Sequence, residues 1–317
     1  MTSWALREAM SDDADLAAIM RIVNEVTPEN PTSLDELHWQ DANYPGARFV
    51  AETDGTIVAM ATTGRIYMYG PEYERYWLGM CVLPPYRRKG IGSALYRSVS
   101  EYARAAGKTG LQTNVIETQV DGLAFLLHRG WEETERAKLV RLDLAGQAPP
   151  ALPSVAGVEF TTLGERPALV ATIHRVAVLA FADIPSAGEP VAAGSFEEFR
   201  ARDVDRPGIP PEAFQVAVDP ATGDAVGYAA MQFLPGRTDV AWHDMTAVHP
   251  AWRGRGIATA LKARAIAWAI EAGLTALETG NDTENAPMRA VNARLGYRPM
   301  PDEISLRGPL TGPTGQP

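Results

Sequence analysis

Apolar positions along this chain recur with two different periods. In "ARFVAETDGTIVAMATTGRIYMYG" (47–70) they alternate or run in short blocks, broken at Asp54-Gly55, which predicts strands with a tight turn. A second apolar run, "WLGMCVL" (77–83), ends in a basic, glycine-containing stretch, "YRRKGIGSAL" (86–95). Beyond it the period lengthens. Ile91, Leu95, Val99, Tyr102, Ala103 and Ala106 recur at helical spacing, and Gly107 fits the C-cap. A short strand, "GLQTNV", and a second helix over about 119–129 follow.

The same succession then returns. Ile257, Leu261, Ala265, Trp268, Ala269 and Ala272 repeat the helical spacing, Gly273 takes the C-cap, and "TALETG" and a helix over about 285–295 complete it. Arg87 and Arg253 are 166 residues apart, as are Gly90 and Gly256, Gly107 and Gly273, and Gly130 and Gly296. "VLPPYRRKGIGSAL" therefore aligns with "VHPAWRGRGIATAL" without a gap, so the chain is a tandem duplication split near residue 150. The copies are expected over 1–147 and 155–310, joined by the Pro- and Ala-rich "AGQAPPALPSVAG" (145–157), with a frayed tail, "RGPLTGPTGQP". Each copy mixes strands and helices and falls in the α+β class.

Composition removes several functions. The chain has 317 residues, 46% of them hydrophobic and 21% charged, which suits two globular domains. A net charge of −10 argues against nucleic-acid binding. No run approaches a membrane-spanning length and no basic-then-apolar leader is visible, so no membrane partner is expected. The single cysteine, Cys81, forms no internal disulfide; it reads as a small buried residue and is compatible with the cytoplasm. No H-E-x-x-H or Cys/His cluster calls for a metal.

The basic loops carry the chemistry. A strand entering a glycine loop and then a helix builds an anion site, because the first helical N–H groups lack internal partners and the helix dipole is positive there. Glycine removes the Cβ atoms that would hold a phosphate away. Arg87, Arg88 and Lys89 in copy one, and Arg253 and Arg255 in copy two, add cationic charge that would be unfavourable at a helix start without an anion. Neither loop has the Walker A spacing, and "GRGIAT" is one glycine short of the dinucleotide fingerprint.

What fits both copies is R-x-x-G-x-G/A: Arg87, Gly90, Gly92, then Arg253, Gly256, Ala258. Here the sequence resembles the GNAT superfamily of acetyl-CoA-dependent N-acetyltransferases. The resemblance implies two tandem GNAT-like domains, each a mostly antiparallel twisted sheet with helices on both faces, and acetyl-CoA as co-substrate. It implies that pyrophosphate is held by the N–H groups of Arg88, Lys89, Gly90, Ile91, Gly92 and Ser93, and of Gly254, Arg255, Gly256, Ile257, Ala258 and Thr259. The strand ends at Val82 and Val248 would lie beside the pantetheine arm, and Asn285 would contact the cofactor.

The family's Tyr acid on the second helix is missing: Asn292 stands there in copy two and Leu126 in copy one. Only copy two offers a base, His243 or Asp244, in "AWHDMTAV"; the ungapped register puts Trp77 and Leu78 opposite them. Acceptor residues are expected in "HWQDANYPG" and "EEFRARDVDRPG". The resemblance thus implies transfer to a small-molecule amine in the C-terminal copy, by a monomer or homodimer. Two alternatives stand beside it: a CoA-binding regulator without turnover, and acetylation of protein amines.

Overall fold

The computed structural model describes residues 3–184 and 190–312, which form two compact units. Described residues 3–67, 71–136 and 303–312 make the first; residues 68–70 and 137–302, less the five not described, make the second.

In the first unit, β1 (Ala5–Glu8), β2 (Gly46–Thr53), β3 (Thr56–Gly64), β4 (Arg75–Val82) and β5 (Gly110–Ile116) lie side by side in sequence order. Four helices accompany them: α1 (Asp13–Val26), α2 (Leu34–Asn43), α3 (Ile91–Ala105) and α4 (Val120–Leu127). Asp12 and Ser33 cap α1 and α2 by accepting from the backbone N–H three residues on. Between β2 and β3, Thr53 faces Thr56 across Asp54 and Gly55, both at positive φ, as a primed two-residue turn requires. Beyond β5 the next strand comes from the far end of the chain: β13 (Glu303–Pro309) runs antiparallel to β5 from Glu303–Ile116 to Pro309–Gly110. The predicted frayed tail is therefore strand from Arg307 to Pro309, and its last five residues lie outside those described.

β6 (Glu132–Asp143) begins in the first unit and ends in the second. There the sheet order is β7 (Glu159–Thr162), β8 (Gln215–Val218), β9 (Ala225–Phe233), β10 (Val240–Val248), β11 (Ala276–Asp282) and then the second half of β6, with β12 (Arg298–Pro299) also on β6. The helices are α5 (Val170–Phe181), α6 (Phe196–Asp203), α7 (Ile257–Glu271) and α8 (Ala286–Arg294). Ser195 and Glu198 start α6 with a reciprocal capping box. Every residue from Ile57 to Ala61 on β3, and from Ala225 to Met231 on β9, is buried. Successive strand side chains point to opposite faces, so each sheet is covered on both. α1 and α3 do this over β3; α5 and α7 do it over β9.

All pairings whose registers are resolved are antiparallel except one in each unit. β4 and β5 run parallel from Arg75–Gly110 to Trp77–Gln112, and β10 and β11 from Val240–Ala276 to Trp242–Glu278. Past those points the strands part.

A β-bulge corrects the repeat register. On β10 the pairing with β9 slips by one between His243 and Thr246. Thr246, Ala247 and Val248 keep the spacing of 166 to Met80, Cys81 and Val82, but Trp242 holds the place of Trp77, each pairing with the strand that follows its helix. The counterpart of His243 is therefore Leu78, not Trp77, and the inserted residue lies within the Asp244–Met245 segment opposite Gly79. A bulge re-aims the side chains around it and sits commonly beside active sites.

Candidate active site

The parting of β10 from β11 leaves a polar backbone edge. The N–H of His249 bonds Val226 on β9, at 2.9 Å. Backbone groups alternate sides along a strand, so the N–H groups of Val248 and Thr246 point the other way, into the gap. Copy one repeats this: Leu83 N–H bonds Val58 at 3.1 Å, which turns Val82 toward the gap beside β5.

At the end of each edge lies the basic loop. Gly90 and Gly256 are the N-caps of α3 and α7, at φ of 86° and 85°, and neither helix has a side-chain cap. Gly254 is also left-handed, at φ 77°; copy one places Arg88 there, at φ 63°. A Cβ built on Gly254 or Gly256 would meet nothing within 4 Å, and no side chain caps the first N–H groups of α7, at Ile257, Ala258 and Thr259, which leaves an open cradle. Such a cradle fits a pyrophosphate. Arg88 and Lys89 are exposed, Lys89 lying 5.3 Å from the Tyr86 ring; Arg255 is exposed and lies 4.5 Å over Trp252.

Arg87 and Arg253 are placed otherwise. Arg87 Nε donates to Val82 O at 3.0 Å and Arg253 Nε to Val248 O at 3.1 Å, while their outer nitrogens pair with Asp121 and Asp183. Each ties the strand end to the loop, fixing the angle between open edge and cradle. A charge-assisted bond of this kind is worth ~1.5–3 kcal/mol when well formed. We expect Arg253→Ala to weaken acetyl-CoA binding about tenfold, read by calorimetry.

The second unit brings two carboxylates near each other. Asp244 is exposed on β10, and desolvation by the neighbouring protein raises its carboxyl pKa against the opposing pull of Arg206 and Arg202. Asp203, the last residue of α6, is pushed up to about 6 by burial, with the Asp244 charge adding to the shift, and it bonds Arg202 Nε at 2.8 Å. Both carboxylates act on Tyr228 of β9, which lies fully buried and stacked on Phe214 at 5.4 Å. Asp203 lies in the stretch expected to hold acceptor residues, but nothing in its spacing singled it out.

Behind Asp244 the interior is polar. His243 is fully buried; its Nε2 is 3.3 Å from Thr246 Oγ1, its carbonyl accepts from Thr279 Oγ1 at 2.8 Å, and its Nδ1 has no partner. Burial, together with the Lys262 charge, holds its imidazole well below the ordinary pKa. Lys262 on α7 is 2% exposed and pushed down to about 7 by desolvation, and its Nζ lies 5.6 Å from the Tyr297 ring. The Tyr297 hydroxyl is buried without a partner. Lys262 was not anticipated, because a lone lysine on a helix reads as a solvated position.

Asn292 is buried on α8 and donates from Nδ2 to Asn281 Oδ1 at 2.6 Å. Asn285 caps α8, its Oδ1 accepting from Met288 N–H at 3.3 Å. His249 turns aside to accept from Ala251 N–H at 3.2 Å.

Copy one lacks this polar interior. Leu78 stands for His243, Tyr96 for Lys262 and Trp131 for Tyr297, and Trp131 Nε1 donates to Tyr96 Oη at 3.1 Å, while that hydroxyl donates to Pro309 O. Phe125 packs over Gly92, within 3.3 Å of where a Cβ would stand, and Arg129 stacks on Phe125 and bonds Ser93 Oγ at 2.8 Å. Cys81 is buried and pushed up to about 11 by desolvation, an inert thiol.

Comparison with known proteins agrees with this geometry. The model of the acetyltransferase (GNAT) family matches residues 16–131 and again 167–297. The chain is 30% identical over 236 residues to a mycothiol acetyltransferase of Brachybacterium faecium, covering 72% of this chain and 67% of that protein. It is also 30% identical over 148 residues to an aminoglycoside N(6')-acetyltransferase type 1 of Stenotrophomonas maltophilia, covering 45% of this chain and 95% of the relative. Among solved structures, a tandem GNAT protein from the clavulanic acid biosynthesis pathway superposes with a TM-score of 0.78 at 21% identity, over 98% of this chain and 99% of that one.

Proposed function

The chain belongs to the GNAT acetyltransferase family, and from that premise we propose that its C-terminal copy, over 155–310, acetylates a small cationic amine. As a member it transfers the acetyl group of acetyl-CoA to an amine. The observation that carries the finer reading is the carboxylate pair of Asp244 and Asp203 beside the open strand edge; on the matching strand, β4, copy one has Gly79 between Leu78 and Met80.

The pair suits both tasks of such a site. Negative charge attracts an ammonium acceptor. A carboxylate with a raised pKa is a better base at neutral pH, where the amine must lose a proton before it can attack. The cradle from Gly254 to Thr259 and the N–H groups of Thr246 and Val248 would bind acetyl-CoA; the Val248 N–H would also favour negative charge building on the carbonyl oxygen. Bound acetyl-CoA supplies the activated acyl group, and the protein supplies position and proton transfer. The mycothiol and aminoglycoside acetyltransferase relatives, both named for small acceptors, support this substrate class.

The test is release of CoA thiol with a panel of diamines, amino sugars and amino-acid amides, run beside a protein lysate with labelled acetyl-CoA. Asp244→Asn is expected to lower kcat about a hundredfold while acetyl-CoA affinity changes less than about twofold. Labelling confined to lysate proteins, or an unaffected Asp244→Asn enzyme, overturns the reading.

A further inference from the structure

We propose that Thr246, His243 and Lys262 form a proton relay that leads from the open edge of β10 into the interior of the C-terminal copy. The relay rests on the reading that this copy is the catalytic one. Its outer end is Thr246, half-buried on the edge of the gap, with Oγ1 3.3 Å from His243 Nε2. Its middle is His243, fully buried where β10 and β11 part, with Nδ1 left without a protein partner. Its inner end is Lys262, 2% exposed, close enough for its charge to act on the imidazole. Among the described residues, the charged or titratable groups facing Lys262 are His243 from β10 and Tyr297 from the segment after α8, and its shift comes from desolvation with no carboxylate in it.

Burying an amine without a counter-ion is unfavourable, because the charged form loses its hydration with nothing to replace it. Copy one closes the same space at no such cost, with Leu78, Tyr96 and Trp131 and a direct Trp–Tyr hydrogen bond. The orphaned Nδ1 of His243 and hydroxyl of Tyr297 mark a polar interior of the sort that holds internal water.

The proton balance is simple. Neutral His243 carries its hydrogen on Nδ1 and accepts from Thr246 Oγ1 at Nε2. As the acceptor nitrogen releases a proton to Thr246 Oγ1, the hydroxyl passes its own to Nε2, and Nδ1 passes its hydrogen, directly or through water, to the neutral Nζ of Lys262. The hydroxyl is restored, the imidazole changes tautomer without becoming charged, and Lys262 ends as the ammonium. Desolvation that brings the Lys262 amine down to about 7 makes this acceptor available at neutral pH.

The chain has four lysines, so lysine side-chain NMR on full-length protein isolates the signal that Lys262→Met removes. That signal is expected to titrate near neutrality, and exchange of its ammonium protons with water to slow at least tenfold in Thr246→Val and His243→Leu. With an acetylated amine as acceptor, the same two variants lower kcat about tenfold and flatten the rise of kcat near pH 7, with acetyl-CoA affinity unchanged. A Lys262 signal titrating above 9 overturns the relay, as do unchanged exchange and pH profiles in Thr246→Val, which alters only an edge position should His243→Leu not fold. If no amine is acetylated, the proposed function fails by itself, and the NMR exchange still decides the relay.

Discussion

Gly256→Trp is expected to abolish turnover, by at least about a thousandfold, while Gly90→Trp leaves it within about twofold. Gly256 caps α7 at φ 85°, a conformation strained by ~1–2 kcal/mol for a residue with a Cβ. The larger effect is occupation. Nothing lies within 4 Å of the Cβ direction, so an indole there would fill the cradle below the free N–H groups of the helix. Losing two or three charge-assisted bonds at ~1.5–3 kcal/mol each accounts for the expected factor. Gly90 shares the left-handed φ, at 86°, with Trp4 lying 3.8 Å from its Cβ direction, but its copy offers Leu78 and Leu126 where chemistry needs polar groups. Gly90→Trp should therefore remove at most a binding site, seen as a fall in acetyl-CoA stoichiometry by calorimetry. The opposite pattern would place catalysis in the N-terminal copy.

Lys262→Met is expected to make the protein more stable at pH 7 and to flatten its stability between pH 7 and 9. In the folded chain the amine is pushed down to about 7 from 10.5, so between those values it is neutral when folded and charged when unfolded. The unfolded state then binds more protons, and stability must rise with pH through this window. The full shift corresponds to about 5 kcal/mol, of which about 2 kcal/mol would be regained between pH 7 and 9. Above 9 the Cys81 thiol, pushed up to about 11 from 9.0, acts in the opposite sense, so the test belongs below it. Urea unfolding at half-unit intervals should show a rising curve for the natural chain and a flat, higher one for Lys262→Met. A natural chain flat over this range would mean that Lys262 is charged in the fold.

Much of this was legible in the residues. The helices from Ile91 and Ile257, the strands at Gly110 and Ala276 and the left-handed loop glycines follow from local period and local conformation, which the repeat doubled. What depended on distant partners was not. An ungapped alignment anchored on the loops conceals a one-residue bulge, so His243 was set against Trp77 rather than Leu78. Asp203 gains meaning only when α6 is brought to Asp244, and Lys262 only when α7 lies against His243. Polar residues of this kind look like surface until the fold buries them. Nor does any pattern reveal which strand an edge will accept, so the end of β13, Arg307–Pro309, was read as tail.

That last strand imposes an order of events on synthesis. The first unit's sheet has Glu303–Pro309 hydrogen-bonded along β5. Hence a chain emerging from the ribosome has an open β5 edge until Glu303–Pro309 have followed it out. An open edge invites pairing with the wrong strand. Ending the gene at the repeat boundary would leave that edge exposed for good, so the two halves of the duplication are not two independently inheritable parts.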